Sequence, residues 1–182
     1  MVNIPNFITL ARMLTVPLLV WLILNDRLVP AFWIFIAAGV SDAVDGFVAK
    51  RFNSETNLGK FLDPLADKAV LVSVFVSLGY ADLLETWLII LVVFRDVLII
   101  GGAILYETLT HSLTMEPLMI SKVNTVAQIV LAASALGVNA FEINDGGFIG
   151  LLVIAVAATT LLSGAAYVFT WGRRAAAMEA KR

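Results

Sequence analysis

The chain has 182 residues, of which 60% are hydrophobic and 14% charged, whereas soluble domains carry roughly 25% charged residues. That balance points to lipid as the main solvent and leaves room for a single all-α domain, residues 1–182, of about six membrane-spanning helices. A net charge of −2 with scattered basic residues argues against nucleic acid, and the absence of cysteine excludes disulfides, thiolate metal sites and a cysteine nucleophile.

Six apolar stretches follow in chain order, at 6–25, 28–50, 60–81, 84–106, 118–138 and 147–171. Each is near the length of a bilayer crossing, and helix is the expected form because every backbone amide must be satisfied within its own segment. The first stretch contains Arg12 and lacks a small-residue cleavage site, so it reads as a span rather than a signal peptide. Trp21, Trp33, Trp87 and Trp171 lie in or at the ends of these stretches and read as interfacial anchors or lipid-facing bulk.

Lysine and arginine set the orientation. Lys50, Arg51, Lys60, Arg173, Arg174, Lys181 and Arg182 gather on one side, whereas the opposite loops hold only Arg27 among Asp26, Asp82, Glu85, Glu142 and Asp145. Both termini are therefore expected in the cytoplasm. With no transit-like leader, a bacterial inner membrane is the expected location.

The second and third stretches carry unusual chemistry, in the segments Ser41-Asp42-Ala43-Val44-Asp45-Gly46 and Asp63-Pro64-Leu65-Ala66-Asp67-Lys68. Spacings of three and four place each aspartate pair on one helical face. A carboxylate at the centre of a span opposes insertion by about 2.5–3.5 kcal/mol, so four unpaired ones would oppose it by about 10–14 kcal/mol. Lys50, Lys68 and Arg95 could neutralise part of that, but four converging carboxylates are better matched by hard divalent cations bound through oxygen. Helix capping or single pairing with lysines would account for one aspartate and leaves the number and spacing of four unexplained.

The pattern Asp42-x2-Asp45-Gly46-x2-Ala49-Lys50-x8-Gly59-x3-Asp63-x3-Asp67 resembles the signature of the CDP-alcohol phosphatidyltransferase family. One position departs from it: Lys50 stands where the family has arginine, replacing a planar fork with a point charge. The resemblance implies a polytopic enzyme that moves a phosphatidyl group from CDP-diacylglycerol to an alcohol and releases CMP. It further implies two Mg2+ or Mn2+ ions on Asp42, Asp45, Asp63 and Asp67, with Asp67 also the general base. Asn6, Thr9, Gly46, Lys50, Thr56 and Gly59 would touch CDP-diacylglycerol, and the active form would be a homodimer.

Beyond the signature, Arg95 lies inside the fourth stretch and Lys122 near the start of the fifth. Both are costly in a span unless they meet anions, and acceptor phosphate or the site's aspartates would serve equally. With Asn124 they are the candidate acceptor-binding residues. Within the family the wording is closest to the cardiolipin synthase and phosphatidylglycerophosphate synthase branches. Glycerophosphate-using members tend to read Gly-Lys-x-Lys-Thr where this chain has Ser121-Lys122-Val123-Asn124-Thr125. One lysine fewer suits a singly charged phosphodiester better than a phosphate monoester. Phosphatidylglycerol is thus the favoured acceptor and glycerol 3-phosphate the alternative.

A cation transporter or channel would also carry intramembrane aspartates. The helix-breaking glycines and prolines do not recur in paired, repeat-related spans, which speaks against it. His111, the sole histidine, reads as a solvated loop residue, and Met115 and Met119 as packing.

Overall fold

A computed structural model of the chain describes residues 4–52, 57–110 and 119–179, with side chains described for residues 13–41, 68–102, 119–171 and 173. Among the described residues there are six helices and no strand: α1 (Ile4–Leu24), α2 (Leu28–Phe52), α3 (Asn57–Tyr80), α4 (Thr86–Thr110), α5 (Met119–Ala140) and α6 (Phe148–Glu179). They coincide with the six apolar stretches, and the largest difference is at the last end. There α6 runs past 171 to Glu179, because Arg173, Arg174 and Ala175-Ala176-Ala177 are strong helix formers. Pro5 and Pro30 fall in the first turns of α1 and α2, where a missing N–H costs nothing.

Among the described residues two helical segments, Met119–Ala140 and Phe148–Trp171, are long and apolar enough to cross a membrane, and Met13–Leu24, Leu28–Ser41 and Lys68–Tyr80 are shorter apolar segments. Outward-facing Trp21, Trp33, Trp87, Ile90, Phe94, Leu151, Ile154 and Phe169 make these helices apolar on their exposed sides as well.

The chain divides into two compact units, Met1–Glu85 with Ala132–Gly146, and Thr86–Leu131 with Gly147–Arg182. In the first, α1 packs along α2 and α3 over a core that includes Leu19, Ile23, Ala31, Val74, Phe75 and Leu78. Gly137 on α5 admits the Phe32 ring, to which an added Cβ would approach within 3.1 Å. That ring meets Phe141 edge-on.

In this unit α1 and α3 end in the same way. Asp26 and Asp82 adopt φ of 57° and 56°. Their N–H groups bond back to Ile23 and Gly79, while the next N–H groups, of Arg27 and Leu83, reach Leu22 and Leu78 at 2.8 Å. This is the Schellman closure, which usually places glycine at the left-handed position. At the end of α5, Glu142 has φ 51° and Ile143 N–H bonds to Val138 C=O at 2.9 Å. An L-residue in that conformation costs about 1–2 kcal/mol, and an acidic side chain at a helix C-terminus opposes the helix dipole.

In the second unit α4 packs on α6, with Leu88, Val92, Leu131 and Val156 fully or almost fully buried. Trp171 of α6 is half-buried and packs against α4. A Cβ on Gly102 would lie 1.7–2.6 Å from three atoms of its indole, so the ring occupies the space that a side chain on α4 would need.

Candidate active site

The signature falls on two consecutive helices. Asp42, Asp45, Gly46 and Lys50 occupy the last three turns of α2, and Gly59, Asp63 and Asp67 the first three turns of α3. Because α-helix is continuous through both segments, each aspartate pair shares a face, as its spacing requires. The side chains of these residues lie outside the described residues, as do those of Asn6 and Thr9 on α1; Thr56, His111 and Met115 lie outside entirely. By residue type, carboxylates are hard oxygen donors, the chemistry that Mg2+ or Mn2+ prefers.

The second unit carries a buried polar seam. Arg95 on α4 and its neighbour Asp96 are each 3% exposed and form an ion pair at 2.7 Å. The other arm of the guanidinium, Nη2, donates to Ser121 Oγ of α5 at 2.7 Å and to Ser163 Oγ of α6. Gly164 of α6 lies beside the Arg95 stem, where an added Cβ would make an ordinary contact with Arg95 Cγ at 3.8 Å. One turn along α5, Asn124 Oδ1 accepts hydrogen bonds from Thr159 Oγ1 at 2.8 Å and Thr160 Oγ1 at 2.9 Å. A further turn on comes Gln128. Ser121, Asn124 and Gln128 thus form one stripe of α5, at spacings of three and four residues.

The three residues expected to meet the acceptor separate here. Arg95 and Asn124 are brought into one seam, and Asn124 is fully buried. Lys122, about 100° around the helix from Ser121, is exposed. The ion partner of Arg95 is Asp96, so its charge is matched inside its own helix. The sequence reading weighed anions elsewhere and gave Asp96 no role, although opposite charges side by side in an apolar span are themselves a signal. Gln128, Thr159, Thr160 and Ser163 were also missed; their shared signal is polar residues repeating at helical spacing within apolar helices.

The seam is incompletely satisfied. Arg95 Nε, Asn124 Nδ2 and both polar atoms of Gln128 are buried without a hydrogen-bond partner. Each such atom costs about 1–3 kcal/mol.

The family model of the CDP-alcohol phosphatidyltransferases matches residues 2–172. The chain is similar to the chloroplastic CDP-diacylglycerol–glycerol-3-phosphate 3-phosphatidyltransferase 1 of Oryza sativa subsp. japonica, at 36% identity over 91% of this chain and 56% of the relative. It is 34% identical to the CMP-forming cardiolipin synthase of Rattus norvegicus, over 94% of this chain and 62% of that protein. The CDP-diacylglycerol–glycerol-3-phosphate 3-phosphatidyltransferase of Bacillus subtilis is 31% identical, over 92% of this chain and 94% of the relative. The chain spans less than two thirds of the first two relatives and nearly all of the third. With a family match across nearly its whole length and the aspartate signature on α2 and α3, the chain belongs to the CDP-alcohol phosphatidyltransferase family.

Proposed function

We propose that the chain is a membrane-embedded phosphatidyltransferase that uses CDP-diacylglycerol as donor and phosphatidylglycerol as acceptor, giving cardiolipin and CMP. Its six helices cross the bacterial cytoplasmic membrane, with both termini and the reacting groups toward the cytoplasm, and it works as a homodimer. The reaction is supported by one observation above others: the signature's two acidic pairs lie on uninterrupted helix at the end of α2 and the start of α3.

Asp42, Asp45, Asp63 and Asp67 hold two divalent ions. Bound there, magnesium or manganese supplies charge neutralisation on the diphosphate and on departing CMP. Gly46 leaves the backbone of α2 open to the nucleotide. Lys50, Gly59, Thr56, Asn6 and Thr9 contact the rest of the donor. The acceptor's hydroxyl oxygen bonds to the phosphatidyl phosphorus as the bond from that phosphorus to the CMP oxygen breaks. Asp67 takes the hydroxyl proton, for which one of its oxygens must stay free of metal.

For the acceptor, the supporting observation is the charge balance of the seam. Arg95 is matched by Asp96, and Asn124 spends its carbonyl oxygen on two threonine hydroxyls, a role that lysine, having no acceptor atom, could not fill. Of the three candidate acceptor residues, Lys122 alone offers a cation outside this balance. That suits the single negative charge of phosphatidylglycerol better than the nearly double charge of glycerol 3-phosphate.

Purified protein given labelled CDP-diacylglycerol and magnesium, with phosphatidylglycerol and glycerol 3-phosphate in separate reactions, tests both parts. Cardiolipin and CMP are expected in the first reaction. Consumption of glycerol 3-phosphate alone would overturn the acceptor assignment, and no CMP in either would favour a transporter.

A further inference from the structure

The last described turns of α6 carry two interleaved pairs of side chains that face opposite ways. Tyr167 and Trp171 meet with ring centroids 5.5 Å apart, and the Trp171 indole fills the space over Gly102 of α4. Phe169 and Arg173 form the second pair, each about 200° around the helix from its counterpart in the first. Both are exposed, and the guanidinium lies over the Phe169 ring, 5.7 Å from its centroid. The inner pair fixes the rotation of α6 against α4 and so keeps the outer pair turned away from the core. Toward the start of α6 the same outward face continues through Val168, Ala165, Leu162 and Leu161, all exposed. From Leu161 to Arg173 the stripe rises about 18 Å, close to the roughly 15 Å of hydrocarbon in one leaflet. Arg173 stands just beyond the apolar span Phe148–Trp171, so the stripe changes from apolar to cationic where acyl chains give way to headgroups.

We propose that the outward face of α6 from Leu161 to Arg173 binds one anionic phospholipid, its acyl chain along the apolar stripe and its headgroup phosphate on the Arg173 guanidinium. This rests on the membrane-spanning reading above, and it uses residues of one unit only, none of them assigned to the donor or the acceptor. Stacking on Phe169 holds the planar guanidinium in place while its N–H groups stay available to phosphate oxygens. Among the described residues no hydrogen bond or ion pair engages it. Residues 173–182 carry Arg173, Arg174, Lys181 and Arg182 against one acid, Glu179, a balance that draws anionic lipid to this end of the helix. A zwitterionic lipid offers the same phosphate, but its own cation offsets the attraction. A second copy of the chain, meeting this face symmetrically about an axis normal to the membrane, would set Arg173 against Arg173.

The test compares two lipids and separates neighbouring charges. The full chain, purified in detergent, is titrated with phosphatidylmethanol, which is singly charged and has no acceptor hydroxyl, and with phosphatidylcholine of the same acyl chains. Native mass spectrometry counts the lipid bound. The wild type should bind phosphatidylmethanol about three- to tenfold more tightly than phosphatidylcholine. Arg173→Gln should abolish that preference and leave phosphatidylcholine binding in place. Phe169→Leu, which keeps apolar surface but loses the stacking, should lower the preference about twofold, and Arg173→Lys should retain part of it. Arg174→Gln removes the same charge about 100° further round the helix and should keep most of the preference. Equal loss in Arg173→Gln and Arg174→Gln would mean diffuse attraction and no site. That result, equal binding of the two lipids by the wild type, or an undiminished preference in Arg173→Gln would each overturn the proposal. So would a shift in dimer mass in Arg173→Gln with lipid binding unchanged, which would give the face to a second copy. A chain that stays soluble without detergent and takes up neither lipid would instead sink the membrane reading, and this inference with it.

Discussion

The α2–α3 segment and the α4–α6 seam both put ionisable groups into apolar helices, and they deal with the cost in opposite ways. In the seam the charge is balanced on the spot: Arg95 meets Asp96 at 2.7 Å and spends its remaining arm on two serine hydroxyls. Along α2 and α3 the sequence supplies four carboxylates with Lys60 and Lys68 as the cations nearest in sequence. An internally balanced group contributes to architecture, whereas an excess of one sign calls for an ion from outside.

The largest effect expected from this contrast is on turnover. Asp67→Asn keeps the shape but removes the base, and CMP release should fall by roughly 10²- to 10⁴-fold. Chelation of divalent ions should stop the reaction of the wild-type protein, and manganese or magnesium should restore it. Retained activity in Asp67→Asn would remove Asp67 as base.

In the seam, Arg95→Leu should be costly to stability because it breaks a buried ion pair from one side, by about 3–5 kcal/mol. The double change Arg95→Leu with Asp96→Leu should recover much of that loss, since both members of the buried pair are then replaced by apolar groups. Thermal unfolding in detergent reads both; additive losses would mean that the two residues do not act as a pair.

Gly102→Ala comes next. The new methyl group would overlap the Trp171 ring, and overpacking of this kind costs about 1–3 kcal/mol, offset in part by the better helix propensity of alanine. Combined with Trp171→Ala, the penalty should shrink.

The smallest effect is a gain. Asp82→Gly should raise stability by about 1 kcal/mol, since it relieves a left-handed backbone and removes a negative charge from a helix C-terminus. No change in melting temperature would mean that the acidic side chain compensates through contacts of its own.

Helix number and placement could be read from the sequence because apolar runs of about 20 residues, broken by clusters such as Asn25-Asp26, leave few alternatives. The helical placement of the aspartate signature was readable for the same kind of reason, since its spacing falls within two of those apolar runs. Pairing across helices was not. That Ser121 and Ser163 would meet Arg95, or that Thr159 and Thr160 would meet Asn124, depends on which faces of α4, α5 and α6 come together, and local periodicity does not carry that. Lys122 shows the limit from the other side: one residue from the seam in sequence, it stands on a different face of α5. The packing of Trp171 over Gly102 was not legible either, because an aromatic at the end of an apolar run gives no sign of which neighbouring helix it covers.

The central claim is that the four aspartates of α2 and α3 grip divalent ions together with the donor diphosphate. Manganese binding to the purified full chain, followed by electron paramagnetic resonance with and without CDP-diacylglycerol, addresses it directly. About two ions per chain are expected with the donor present, and fewer in Asp63→Asn. Unchanged binding in that variant, or no binding by the wild-type chain, would contradict the account.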